Sequence, residues 1–524
     1  MLKRGLLGCP CLSHWCPVLD GRKAVSETGL GNLTYPKRAP NSVLIRRLIE
    51  ETGKRDFGTK LLTKAYIATV CSRMVGVRLG GQRPKPSLFL PNRLFYDPTT
   101  PQLGLGIKRL RMQAGWDKTE KIKGRYDFAW LDAIINDATR GLQPWLQLSY
   151  GNHNYPGGGG SNLGAGVPTS PEALAAWDKW TAALVARYQD RVTNWEIWNE
   201  PNFGDNLENM PAKCAALHIR TLDIIKRLQP AAKVSGLALG HIDLNYAEAF
   251  FRIMTEKGKL KLLDNITYHD YTYNPDSHYP KVMQLRAILH KYAPGMPLRQ
   301  GENGCPSGGG SGRGALWDYD SSELTQAKWD TRRMLGDLGH DIETSIFGIV
   351  EMAYTNGPIN RLNYKGIIKS DSTKRVIQPK MAYYAIQHVT SIFDHSLRRI
   401  KQVESTHNQD YVPQRADQIA YTKSTDRSLA VYGYEHTQTR QQVFTIWVDE
   451  YIPTESNKTK NLNFTFTNAH FDQPVYVDIV SGRVHEIPAS QWWGSCCKRA
   501  DLHAKPFIKK GSFHTTVKRA IPSN

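Results

Sequence analysis

Two short stretches of the 524-residue chain place carboxylates where they could do chemistry. In Asn194-Trp195-Glu196-Ile197-Trp198-Asn199-Glu200-Pro201-Asn202, the aromatic and β-branched residues favour a buried strand, and Pro201, which has no N–H for a ladder, ends it. Glu200 therefore sits at a strand end beside an amide and bulky aromatics. That setting gives a general acid its position, partial desolvation and a polar neighbour. In Pro297-Leu298-Arg299-Gln300-Gly301-Glu302-Asn303-Gly304 a second strand stops at Glu302, just before a glycine-rich loop. Two strand-end carboxyls that face one bond from opposite sides are what glycosidic cleavage through an oxocarbenium-like transition state requires.

The elements that must position this pair follow a rhythm. From about residue 66, short apolar runs at 75–79, 107–112, 144–149, 193–199, 233–237, 265–269, 297–302 and 346–352 alternate with longer amphipathic stretches. Phe128, Leu131, Ile134, Ile135 and Ala138 recur at helical spacing, as do Leu174, Trp177, Trp180, Leu184 and Tyr188. Eight strands separated by helices predict an α/β chain with a (β/α)8 TIM barrel over 66–395, in which strands four and seven approach each other across the mouth. Glycine-rich stretches at 156–166 and 308–314 lack the Gly-Lys-Ser/Thr of a phosphate loop and read as βα loops at that mouth. A helix near 379–392 closes the barrel. Beyond residue 396, short alternating runs split by turn residues predict a C-terminal β-sandwich over 396–524, whereas 1–65 has no strong periodicity beyond one short helix near 43–50.

The formal charge of +20 is spread over short, unrelated basic groups such as Lys108-Arg109-Arg111 and Arg398-Arg399-Lys401. No zinc-finger, basic-zipper or RNA-binding aromatic pattern accompanies them, so a soluble basic surface is favoured and no nucleic-acid partner is expected. The eight cysteines have neither the density of a disulfide scaffold nor zinc-ligand spacing. No run approaches the roughly 18 apolar residues of a membrane span, and the first 16 residues lack the hydrophobic region of a secretory leader. Composition decides neither oligomeric state nor redox state, and an extracellular or cell-envelope location would follow only from the class of chemistry.

Trp-Glu-Ile-Trp-Asn-Glu-Pro-Asn at 195–202, with Gly-Glu-Asn at 301–303, resembles the catalytic barrel of clan A glycoside hydrolases, and family 39 (β-xylosidases and α-L-iduronidases) most closely. The resemblance spans about residues 66 to 395. It implies Glu200 as acid/base, Asn199 as the ligand of the substrate 2-hydroxyl and Glu302 as nucleophile. His269-Asp270-Tyr271 matches the His-x-Tyr of strand six, which implies that His269 and Tyr271 bond the nucleophile and orient the sugar. The implied activity is retaining hydrolysis of an oligosaccharide or polysaccharide, with neither metal nor organic cofactor. In such a pair one carboxyl keeps its proton by desolvation and by the field of the other, while the ionised partner needs donors. Arg111 on strand two is the candidate donor beside Tyr271, although Arg109 has the same parity. His153, after strand three, is a candidate sugar contact. Glu196 lies on the face of Glu200 but deeper, and Glu351 on strand eight is the stronger rival carboxylate. Where the clan places a platform tryptophan after strand eight, this chain has Glu351-Met352-Ala353-Tyr354, so Tyr354 is the candidate substitute. A glycan-binding protein that has lost turnover, and a nucleic-acid-binding protein, are the alternative classes.

Overall fold

In the computed structural model, the described residues are 66–70, 105–161, 164–203, 210–308, 314–356, 359–371, 376–404, 418–423, 429–439, 441–456, 459–466, 475–486, 492–493 and 511–518. They all belong to one compact unit that spans 41–524. Eight parallel strands form the central sheet: β1 (Tyr66–Val70), β2 (Arg109–Gln113), β3 (Gln143–Leu148), β4 (Asn194–Ile197), β5 (Lys233–Leu239), β6 (Asn265–His269), β7 (Leu298–Glu302) and β8 (Thr344–Phe347). Their order is β7-β6-β5-β4-β3-β2-β1-β8. The curl closes between the two end strands through a parallel bridge, Arg299 to Glu343, and the Gln300 N–H donates to the Glu343 carbonyl at 2.9 Å. This is a TIM-barrel-like α/β fold.

Helices α1 (Ala129–Ala138), α2 (Pro171–Tyr188), α3 (Pro211–Leu228), α4 (Leu244–Glu256), α5 (Tyr279–Tyr292), α6 (Glu323–Gly339) and α7 (Met381–Ile392) intervene between the strands or follow them. In α2, local chemistry fixes the start: Ser170 caps the Ala173 N–H at 3.1 Å and Pro171 takes the first helical position. Its buried face, Ala173, Trp177, Trp180, Leu184 and Tyr188, then packs on the sheet. Trp177 joins three elements. Its ring lies 5.8 Å from that of Trp198 and 5.0 Å from that of Trp180, and its indole N–H donates to the Thr221 hydroxyl of α3 at 2.8 Å.

Two strand positions differ from the sequence reading. The first strand is β1 at Tyr66–Val70, where Ile67 pairs with Arg109 and also with Ser345, whereas 75–79 lies outside the described residues. Both runs are short and apolar, and only pairing with both β2 and β8 distinguishes them. The last strand stops at Phe347 instead of running to 352, because the chain turns away to pair with the start of β9 (Ile368–Ser370): Val350 bridges Ile368, and the Glu351 N–H donates to the Ile368 carbonyl at 3.1 Å. Glu351 is thereby consumed in structure, bonded to Lys380 at 2.5 Å and accepting from the Ser370 N–H at 2.9 Å. The expected segment 1–65 and its short helix also lie outside the described residues.

After α7 the regular elements among the described residues are strands. One mixed sheet has the order β13-β12-β10-β11-β14-β16-β15, with β10 (Leu397–Glu404), β11 (Gln418–Lys423), β12 (Leu429–His436), β13 (Gln442–Val448), β14 (Thr459–Phe466), β15 (Trp492–Trp493) and β16 (Gly511–Lys518). Strand β10 changes partner midway: 397–400 run antiparallel to β12, and 401–404 run parallel to β11. The segment after β13 seats on the barrel. Arg332 of α6 donates to the Tyr451 carbonyl at 2.8 Å, and Lys328 donates to the carbonyls of Thr454 and Ser456 at 2.8 Å each.

Because Trp177 ties α2 and α3 to the turn that carries Glu200, Trp177→Ala should cost about 3–5 kcal/mol, seen as a lower urea midpoint with little change in slope. A loss below about 1 kcal/mol would mean that the turn is held independently of this stack.

Candidate active site

Side chains pointing into the barrel form polar tiers. At the base, Glu343 is shared by Arg109, through a hydrogen-bonded ion pair, and by Arg299 at 2.7 Å, and the Arg299 guanidinium lies 4.7 Å from the centre of the Trp145 ring. In the middle, Arg111 Nε donates to Glu196 at 2.6 Å, Gln147 donates to the same Glu196 oxygen at 2.9 Å, and the Thr267 hydroxyl donates to the other at 2.6 Å. This assigns the two arginines that strand parity left open: Arg109 belongs to the base and Arg111 to the tier beneath the mouth. Glu196 is the deeper carboxylate, as its strand position predicts, and all its named partners hold it in place.

The top tier brings Glu200, His269 and Glu302 together. His269 Nδ1 lies 2.8 Å from a Glu200 oxygen and 2.9 Å from a Glu302 oxygen, and one donor atom of each residue falls within 4.8 Å of the others. Arg111 approaches the remaining Glu302 oxygen at 3.8 Å through Nη1, and its Nη2 donates to Asn199 at 3.0 Å. Asn199 also accepts from Gln147 at 2.8 Å and donates to the Tyr150 hydroxyl at 2.6 Å, which fixes its amide orientation.

Backbone devices put these groups at the mouth. Trp198 and Glu200 have φ of 65° and 50°, left-handed values that cost about 1–3 kcal/mol each in residues other than glycine. The Glu200 N–H donates to the Ala238 carbonyl at 2.8 Å, which ties the turn to β5. A Cβ at Gly240 would stand 3.0 Å from the Glu200 Cβ, so that glycine keeps space for the carboxylate. On β6 and β7 the register shifts between Tyr268 and His269, so that His269 faces Glu302 directly. Asp270, between His269 and Tyr271, turns outward to a buried ion pair with Arg333 at 2.9 Å and anchors the strand end.

Electrostatics follow from that crowding. Burial alone lowers the pKa of His269, but Glu302 and Glu200 outweigh it and raise the pKa to about 9. Burial raises that of Glu302, yet His269, Arg111 and Lys365 together hold it below its ordinary 4.5. His269 Nε2 faces the Arg111 Nη2 donor at 3.3 Å, which favours an Nδ1–H tautomer, while the carboxylates favour the doubly protonated ring. In either form Nδ1 carries the hydrogen, shared between the two carboxylates. Among the described residues, the same three side chains are the cluster whose spacing could ligate a metal ion, with His269 already bonded to both acids.

The other expected residues are less closely joined. The Tyr271 ring is edge-on to Phe347 at 6.4 Å, with the Lys365 ammonium 5.3 Å from its centre. His153 is exposed and pairs with Asp117 at 2.5 Å. The Tyr354 side chain lies outside the described residues; its backbone pairs with Arg361 in a hairpin after β8. Sequence reasoning missed Gln147, Tyr150, Thr267 and Lys365. The inward positions of β3 and β6 could have yielded Gln147 and Thr267, whereas Tyr150 and Lys365 arrive on irregular backbone that carries no periodic signal.

Below pH about 6.5, the His269 contribution to stability is fully present, and it is lost as pH rises through about 9; the Glu302 contribution is present above pH 4.5 and is lost as acid protonates it. Urea unfolding should therefore show stability falling from pH 7 to 9, and His269→Gln should flatten that fall. An unchanged slope in the variant would refute the assignment.

No protein-family model and no curated protein matches the sequence. Among solved structures, a family 39 glycoside hydrolase from the gut symbiont Bacteroides cellulosilyticus WH2 superposes with a TM-score of 0.52 at 16% identity, covering 88% of this chain and 81% of that one. A family 39 β-xylosidase from Caulobacter crescentus gives 0.47 at 17% identity, over 73% of this chain and 84% of that one. Both are family 39 glycoside hydrolases, and the likeness to the first is one of fold.

Proposed function

We propose that the chain is a retaining glycoside hydrolase that acts on an oligosaccharide or polysaccharide, with the site in a barrel at 66–395 followed by a β-sandwich at 396–524. The observation that carries this reading is the pairing of Glu200 with Glu302 across His269, whose Nδ1 lies 2.8 Å from an oxygen of the first and 2.9 Å from an oxygen of the second. Retaining enzymes hold their two carboxyls about 5–5.5 Å apart, whereas inverting enzymes leave about 6.5–9.5 Å for a water. The fold shared with a family 39 hydrolase supports the same reading.

In the first step the Glu302 carboxylate attacks the anomeric carbon as Glu200 gives its proton to the departing glycosidic oxygen, so that the C–O bond to the leaving sugar breaks and an ester to Glu302 forms. In the second, Glu200 takes a proton from water, whose oxygen displaces Glu302 from the same carbon. Arg111 and His269 keep Glu302 ionised, His269 orients the carboxyl groups of both acids, and Asn199 is held ready for the sugar 2-hydroxyl. No step needs a metal.

On a panel of aryl β-glycosides and plant polysaccharides, the wild-type chain should release sugar with the anomeric configuration retained. Glu200→Gln and Glu302→Gln should each lose at least about a hundredfold in kcat while still unfolding in one cooperative transition. Turnover unchanged in both variants would overturn the mechanism. Binding of a sugar without hydrolysis by the wild type would favour a lectin-like role.

A further inference from the structure

A tryptophan stands half exposed in the loop between β7 and α6. Trp317 is 50% exposed, on the segment that leads away from Glu302. Exposure of a large indole is ordinary on a surface loop, but this loop is anchored on both sides of it, at Ala315, Asp318 and Tyr319. The Lys365 ammonium donates to the Ala315 carbonyl, the Tyr273 hydroxyl bonds both carboxylate oxygens of Asp318 at 2.9 Å, and the Tyr319 hydroxyl donates to the Pro453 carbonyl. The first two anchors lead straight back to the site. Lys365 lies against the ring of Tyr271, and Tyr273 is two residues further along the same loop, 42% exposed and edge-on to Tyr319 at 5.7 Å. The backbone under Tyr273 is itself pinned, since the Trp329 indole donates to the Thr272 carbonyl at 2.9 Å.

A solvent-facing indole on a loop anchored to the segment that carries Tyr271 suits the apolar C–H face of a pyranose or furanose ring, because a flat, fixed surface makes such contact without ordering a flexible chain. A third exposed aromatic rises on the β4 side of the mouth. Phe203 is 47% exposed, and its N–H donates to the Glu200 carbonyl at 3.1 Å. Resting on the glycosidase reading above, we infer that Trp317, on the loop that Tyr273 holds through Asp318, is a stacking platform for a sugar unit beyond the two that flank the cleaved bond, so that the preferred substrate is a chain of three or more sugars. The +20 charge has no part in this contact, which is apolar and independent of salt.

The test uses the full chain carrying Glu302→Gln, titrated calorimetrically with xylotetraose, cellotetraose and mannotetraose and with the matching disaccharides. At least one tetraose should bind at least tenfold more tightly than its disaccharide. Adding Trp317→Ala should remove that advantage, and Trp317→Phe should restore most of it. An advantage that survives Trp317→Ala overturns the platform, as does a parent that binds no tetraose or binds both lengths alike. A Trp317 serving only the fold would lower both affinities together, along with the melting temperature. Hydrolysis of aryl glycosides by the wild-type chain decides the glycosidase reading separately, so the two failures are distinguishable.

Discussion

The arrangement depends on one constraint, the burial of Glu200 and Glu302 side by side. Two carboxyl groups that share one histidine nitrogen almost out of water disfavour each other's ionisation, and desolvation adds to the cost of each charge. The chain offsets this with two fixed donors. His269 Nδ1 bridges the acids, and the Arg111 guanidinium spans Glu196, Asn199 and the far oxygen of Glu302. Much of the barrel interior follows from that requirement. A closed barrel core is ordinarily filled by branched apolar side chains. Here it is filled largely by a lattice of arginines, amides and carboxylates in which successive tiers satisfy one another.

That lattice also explains why similar residues differ in their work. Five glutamates lie in or near the barrel. Glu343 neutralises two arginines at the base, Glu196 fixes Arg111, and Glu351 is paired to Lys380 outside the ring. Glu200 and Glu302 alone meet across a histidine at the mouth. Backbone geometry supports the distinction, since the left-handed φ at Trp198 and Glu200 is an expense without return unless the carboxylate must stand at that spot.

Much of this was legible in the sequence, for identifiable reasons. The β4 motif is readable because its aromatics and Pro201 fix both the strand and its end. Glu302 is readable because β7 is bounded by prolines and glycines, and His269 because β6 ends where its pattern ends. Strand β1 was misplaced because two short apolar runs compete and only tertiary pairing chooses between them. The end of β8 was misplaced because an apolar run continues from the barrel into a different pairing, which periodicity does not mark. The bridging position of His269 was invisible, because it depends on a one-residue register shift between β6 and β7. The same holds for Tyr150 and Lys365, whose side chains return to the site from irregular backbone.

The central claim is that Glu302 attacks and Glu200 assists. Incubation of the wild-type chain with 2-deoxy-2-fluoro aryl glycosides of the sugars it hydrolyses, followed by proteolysis and mass spectrometry, tests it most directly. The account predicts a stoichiometric fluoroglycosyl ester on the peptide that contains Glu302, absent from Glu302→Gln. An adduct on Glu196, Glu200 or Glu351, or steady hydrolysis with inverted configuration and no adduct, would contradict it.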